Sequence, residues 1–372
     1  MPKQERGDVY FLTGFPTFLA KNLIEGILAW EPNGIIALLV QDKHASAAKN
    51  FIRKIGAVQR VRVIIGDVLK MHLGLSSEEY KVLTKNVTVI FHAASISYPG
   101  APESVARMVN VDGTLNVLEF AADAKNLKRL NHFSSAFVSG DRTGVVTEEE
   151  LDCGQGFANH IQKTKYLGEL EVRKAMPGLP ISVFRPSMVV GNSITGETDK
   201  LEGFYSFVKM IIAPGYNFPL PVPRGGMAPL NVVPVDYVVE AALYIASSDA
   251  SAGKTFHLVD PNPLTVRQVL NNVAEKSGRT RPAIITMPAD MIAAMSRIKW
   301  ISNLSPAYMN ALGILGRFTV YNCPNTTAAL KSTKVHCPSF DAYSDRMLSY
   351  VKSQLTRQAE EKTSRELKDP LA

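Results

Sequence analysis

From Val9 to Val190 the chain alternates two kinds of segment. Short runs apolar on both faces (9–13, 35–40, 61–65, 87–94, 130–138, 181–190) are separated by longer stretches in which apolar residues recur at helical spacing (18–30, 45–55, 105–124, 158–175). A strand without a polar face must be covered on both sides. Strands joined through helices run parallel, because a tight hairpin cannot connect them. The pattern therefore predicts an α/β fold with a parallel sheet sandwiched between helical layers.

Right-handed crossovers make such a sheet doubly wound and Rossmann-like, with ligands beyond the carboxyl ends of its strands. After Gly191 the pattern loosens into a Gly- and Pro-rich stretch with one helix near 204–212. Strands at 230–235 and 255–259 then flank a helix at 237–247. From Leu264 onward the reading is mainly helical (266–276, 289–300, 308–315), with one short strand near 283–287. The expected division is a dinucleotide-binding domain over 1–191 and 230–260. A smaller substrate-binding region covers 192–229 and 261–351, and a charged helical tail covers 352–372.

Composition narrows the function. With 46% apolar residues the chain can bury a core. Its three cysteines (Cys153, Cys323, Cys337) are far apart and have no C-x-x-C spacing, so a reduced, cytoplasmic setting is expected. The charge of +7 is spread out, without basic blocks interleaved with aromatics. Nucleic acid is therefore not expected as a partner; the mildly positive surface serves solubility alone or suits phosphate-bearing cofactors or an acidic carrier protein. The histidines show no metal-ligand spacing, and no metal is expected. No run reaches the ~18 apolar residues of a membrane span, which leaves peripheral membrane contact as a secondary expectation.

The turn Thr13-Gly14-Phe15-Pro16-Thr17-Phe18-Leu19-Ala20 lies between the first strand and the first helix, where backbone N–H groups can receive a pyrophosphate. Gly14 suits the tight turn and Ala20 permits close packing. Thr17 stands where a second glycine would let phosphates approach. Its β-branched side chain either crowds the pyrophosphate or hydrogen-bonds to it. At the end of the second strand an acidic residue would favour NAD and a cation NADP. Gln41-Asp42-Lys43 offers both, with NADP slightly preferred. Asp67, followed by Val68, is placed to accept from an adenine amino group or simply to cap its turn.

Nine segments in order over about the first 260 residues carry a family resemblance: TGFPTFLA, GDV, VIFHAAS, NVDGTLNVLE, FSSAFVSG, FANHIQKTKYLGELEV, FRPSMVVG, GETDKLEGFY and PLNVVPVDYV. The sequence resembles the extended short-chain dehydrogenase/reductase superfamily. It is most similar to the thioester-reductase-like and fatty acyl-CoA reductase branch, the male sterility type of NAD-binding domain. The resemblance implies an NAD(P) cofactor touching the turn 14–19 and Gln41, Lys43, Asp67, Val68, Ala93, Ala94, Asn110, Lys165, Pro186, Ser187 and Met188. It also implies a catalytic Ser at Ser135 and a catalytic Lys at Lys165, with a Tyr four residues earlier. That position holds Ile161.

In this chemistry hydride adds to a carbonyl carbon. The Tyr hydroxyl donates the proton, the Ser hydroxyl holds the oxygen, and the Lys ammonium lowers the Tyr pKa. Ile161 cannot donate. Tyr166 lies about 100° around the helix from Lys165, and the nearest substitutes are His160 and Tyr98. Three readings follow. The first is an NAD(P)H-dependent reductase of an acyl thioester on coenzyme A or a carrier protein, with the apolar region 287–315 holding the acyl chain. The second is a catalytically impaired pseudoenzyme serving as a cofactor-binding or scaffold protein. The third is a reductase of another small carbonyl or hydroxysteroid.

Overall fold

The computed structural model describes residues 7–98, 100–212, 220–288, 291 and 316–368. The first half runs β1 (Val9–Thr13), α1 (Phe18–Trp30), β2 (Ile35–Val40), α2 (Ala45–Lys54), β3 (Val61–Ile65), α3 (Ser77–Asn86), β4 (Val89–His92), α4 (Glu103–Arg107), α5 (Gly113–Asp123), β5 (Arg129–Phe133), β6 (Gly144–Val146) and α6 (His160–Ala175). The second half runs β7 (Ile181–Pro186), β8 (Met188–Val190), α7 (Phe204–Ile212), β9 (Leu220–Val222), β10 (Val232–Pro234), α8 (Val235–Ala246), β11 (Lys254–Leu258), α9 (Val266–Lys276), β12 (Ile284–Thr286), β13 (Thr319–Tyr321), α10 (Pro324–Leu330) and α11 (Phe340–Lys368).

The central sheet has seven parallel strands in the order β11-β7-β5-β4-β1-β2-β3. Its direction of growth reverses between β1 and β4, so the crevice for a ligand opens where Thr13–Thr17 and Ala93–Ser95 leave adjacent strands. β4, β5 and β7 are buried along their whole length, as strands covered on both faces must be. On one face Phe11, Ile90, Leu130 and Val183 pack with Val117, Phe120 and Val172. The Phe11 and Phe120 rings lie 4.6 Å apart. On α1, Leu23, Ile24 and Ile27 are buried, and a Cβ at Gly26 would stand 2.6 Å from Val239, so α1 and α8 pack closely.

The Cα positions cluster into two compact units. The first holds Met1–Ser187, Asp236–Pro261 and Val320–His336, and the second holds Met188–Val235, Asn262–Thr319 and Cys337–Ala372. Residues 320–336, which the sequence grouped with the C-terminal region, thus belong with the sheet unit. The described part of the second unit is mainly helical. Phe204, Val208, Val269, Leu270, Tyr343 and Met347 share its core, beside the short parallel pairs β8–β10 and β9–β12.

Several boundaries differ from those expected. The strand expected over 130–138 ends at Phe133, because the Ser135 hydroxyl caps a 3-10 turn over Ala136–Ser139. The strand expected over 181–190 divides at Ser187, whose N–H bonds Leu258 of β11 while Met188 N bonds Asn231. The helix expected over 105–124 contains a π-turn at Met108–Asp112. Helix α3 had no place in the sequence reading, although Ser76 and Glu79 form a capping box at its start. The tail from 352 continues α11 rather than forming an element of its own. The helices expected at 289–300 and 308–315 lie outside the described residues.

Candidate active site

The dinucleotide turn forms because Gly14 sits at φ +105°, a region that L side chains rarely enter. A Cβ there would also lie 2.6 Å from the Ala93 carbonyl carbon, so β1 and β4 leave the sheet nearly in backbone contact. Thr17 is the N-cap of α1. The residue is exposed, and its hydroxyl accepts from Ala20 N at 3.3 Å. The side chain thus occupies one of the donors that a helix N-terminus offers to an anion. Phe18 and Leu19 keep theirs, as first-turn N–H groups do.

At the end of β2 the Gln41 amide donates to Asp67 Oδ2 at 2.9 Å, and Asp67 Oδ1 accepts from Leu69 N at 3.0 Å. The Asp67 carboxylate is therefore engaged by its own chain. Lys43 is exposed in the short turn Asp42–His44. Val68 is buried, with its carbonyl accepting from Asn116. At the end of β7 the buried Ser187 hydroxyl has no hydrogen-bond partner. This orphan and the first-turn N–H groups of Phe18 and Leu19 are the features a bound dinucleotide would use, and the residues present fit such a group.

Asn110 joins the parts of the centre. Its Oδ1 accepts from Ile96 N at 2.8 Å, and its Nδ2 donates to Ile96 O and to Thr164 Oγ1, both at 3.0 Å. It thereby ties the loop after β4 to the helix that carries Lys165. A Cβ at Gly168 would fall on the Asn110 carbonyl oxygen, so α6 also lies close against the π-turn. Across this clamp Lys165 Nζ donates to Ser95 Oγ at 3.1 Å. Burial pushes the Lys165 ammonium down to about 8, against the pull of Glu169 one turn further on.

Ser135 follows the end of β5, the strand paired with β4. His92 and His132 are register partners, so Ser95 and Ser135 each lie three residues beyond the last paired position of adjacent strands. The Ser135 hydroxyl accepts from Phe137 N at 3.2 Å. No hydrogen bond joins Ser135 to Lys165. Ile161, one turn before Lys165, is buried with 6% exposure. Among the described residues no tyrosine hydroxyl bonds Lys165 or Ser135. Tyr166 donates to Asp152 at 2.8 Å, and its hydroxyl is pushed up to about 12 by burial and that carboxylate. Tyr98 is 61% exposed, and His160 Nε2 pairs with the Ala101 carbonyl oxygen at 2.7 Å.

Beneath the centre lies a network that the sequence reading missed. Burial works to raise Glu169, but Arg185, then Ser134 and Arg173, hold it down at about 2. Its carboxylate takes Arg185 Nη2 at 2.6 Å and the Ser134 hydroxyl, which anchors the strand end bearing Ser135 to the helix bearing Lys165. The signal was present in KTKYLGE, where Glu169 follows Lys165 by four residues on the same face. Ser95 closes the VIFHAAS segment, where nothing in the sequence marks it for a role.

Known proteins resemble the chain in these same regions. The family model described as Male sterility protein, an NAD-binding domain, matches residues 12–242, more than half of the chain. The nonribosomal peptide synthetase asaC of Aspergillus flavus is 30% identical over 279 residues, 68% of this chain and 26% of that protein. The fatty acyl-CoA reductase wat of Drosophila melanogaster is 28% identical over 273 residues, 63% of this chain and 53% of that enzyme. The alignments thus span only part of these relatives. The terminal R domain of the myxalamid PKS-NRPS pathway superposes with a TM-score of 0.80 at 25% identity, over 95% of this chain and 92% of that one. No described helix is long and apolar enough to cross a membrane. With the nucleotide turn, the motif order and the match over residues 12–242 in agreement, this chain belongs to the male sterility family of NAD-binding, thioester-reductase-like proteins.

Proposed function

We propose that the chain is an NAD(P)H-dependent reductase of acyl thioesters, carried on coenzyme A or on a carrier protein, that works without a phenolic acid. The observation that carries it is the Lys165–Ser95 hydrogen bond at the carboxyl end of β4, next to the strand that leads to Ser135, with a buried Ile161 one turn before Lys165 on α6. A reduced nicotinamide supplies hydride when bound. Gly14 to Leu19 would hold its pyrophosphate, Ser187 a cofactor hydroxyl, and Lys165 the nicotinamide ribose. Ser135 would hold the thioester carbonyl oxygen. At the end of β2 the Gln41 amide is turned onto Asp67 and Lys43 is exposed, so Lys43 would receive a 2′-phosphate, which favours NADPH. The relatives named as synthetases and a fatty acyl-CoA reductase support the thioester substrate class. The test is oxidation of NADPH and NADH in the presence of octanoyl-coenzyme A. Turnover at background level with both cofactors removes this reading.

The buried Ile161 favours a second reading, a protein that keeps the cofactor site and has lost hydride transfer. It predicts NADPH binding by calorimetry without oxidation by any acyl thioester.

A further inference from the structure

We propose that Ser95 and Lys165 form a nucleophile–base pair that hydrolyses acyl thioesters without a nicotinamide cofactor. The inference takes its substrate class from the reading above but does not use the hydride step. Lys165 Nζ lies 3.1 Å from Ser95 Oγ, within the reach that a general base needs. Ser95 is in the loop at the carboxyl end of β4, the edge of the sheet where ligands enter. Both partners are held. Asn110 fixes Ile96, next to Ser95, and Thr164, next to Lys165, through hydrogen bonds of 2.8 to 3.0 Å. With Ile161 in place of a phenol, no hydroxyl from that position competes for the ammonium.

The groups facing Lys165 decide its charge. Glu169, on the same helix, favours the ammonium. His92 on β4 and His132 on β5 are driven neutral by burial and add no positive charge. Desolvation lowers Lys165 to about 8, so the neutral amine is far more accessible near pH 7 than in an ordinary lysine. In that form the amine takes the Ser95 proton while Oγ bonds to the thioester carbonyl carbon. The C–S bond then breaks, and the thiolate leaves with the proton from Lys165. Water next adds to the Ser95 ester, the C–Oγ bond breaks, and the carboxylic acid departs as Ser95 regains its proton. No electrons are exchanged with a redox partner. The Ser135 hydroxyl, which follows the adjacent strand at the matching register, would receive the carbonyl oxygen.

The experiment treats the full chain with a fluorophosphonate and, separately, with octanoyl-coenzyme A lacking any nicotinamide. The expected result is a single phosphonyl adduct mapped to Ser95, with thiol release that needs no NADPH. Ser95→Ala should abolish both. Lys165→Arg, which keeps the cation but offers no neutral amine, should slow both by ~10²-fold or more. Labelling should rise with pH through about 8, and saturating NADPH should protect Ser95. An absent adduct, or one that persists in Ser95→Ala, overturns the proposal whatever NADPH oxidation shows. Oxidation of NADPH with octanoyl-coenzyme A bears on the reductase reading alone.

Discussion

Glu169 and Arg185 meet at 2.6 Å in an ion pair from which solvent is excluded on both sides. The pair links α6 to β7, and through Ser134 it reaches the end of β5. Removing one partner leaves a buried, uncompensated charge. Glu169→Ala should therefore cost ~3–5 kcal/mol in urea unfolding. The double variant Glu169→Leu with Arg185→Met should cost less than the single one, because neither charge is then stranded. A single variant within ~1 kcal/mol of the parent would show that the pair does not carry the junction.

Stability should fall on acidification in two stages. His92, His132 and His257 are buried and neutral, and burial holds the latter two at about 4. The unfolded chain binds their protons from about pH 6.5 downward, whereas the folded chain does not, so stability is lost as pH falls from 6.5 towards 4. Glu169, held at about 2, adds a second loss as pH falls from about 4.5 towards 2. The midpoint of urea unfolding against pH measures both. His132→Asn should flatten the first stage, and an unchanged slope would assign it elsewhere.

Much of the sheet was legible in the sequence because its strands lack a polar face. The runs 9–13 and 35–40 could become nothing else between amphipathic helices, and both form at the expected residues. The misreadings arise where a polar side chain redirects the backbone. The Ser135 hydroxyl ends β5 early, and Asn110 sits in a π-turn that helical periodicity does not reveal. The motif order points to Lys165 as a site residue. It does not mark Ser95, because a serine in a loop acquires chemistry only when a folded helix brings a desolvated amine to it. Glu169 and Arg185 are ordinary charged residues in sequence, and only burial makes them a pair.

The nucleotide turn separates a residue that cannot change from one that can. Gly14→Ala would meet the Ala93 carbonyl at 2.6 Å and would also suffer at φ +105°. It should destabilise the fold by more than the ~1 kcal/mol typical of a strained Gly→Ala change and should weaken NADPH binding. Thr17→Gly should cost only a few tenths of a kcal/mol, since glycine is a tolerated N-cap. It frees the Ala20 N–H and clears the approach to Phe18 and Leu19, so NADPH affinity by calorimetry should rise. Weaker binding in Thr17→Gly would mean that the threonine hydroxyl itself contacts the phosphates.

Ile161→Tyr tests how much of the centre is intact. The new phenol would enter a buried site one turn before Lys165. Overpacking there should cost ~1–3 kcal/mol, which the unfolding midpoint will report. If the surrounding groups are still arranged for hydride transfer, the restored acid should raise the rate of NADPH oxidation with octanoyl-coenzyme A by ~10²-fold or more. The same phenol would compete with Ser95 for the Lys165 ammonium, so cofactor-independent thiol release should fall as the reductase activity rises. Opposite movement of the two rates would mean that one lysine serves both chemistries and that residue 161 selects between them. A variant that folds and binds NADPH but gains no oxidation would favour the reading in which the centre has lost more than its tyrosine.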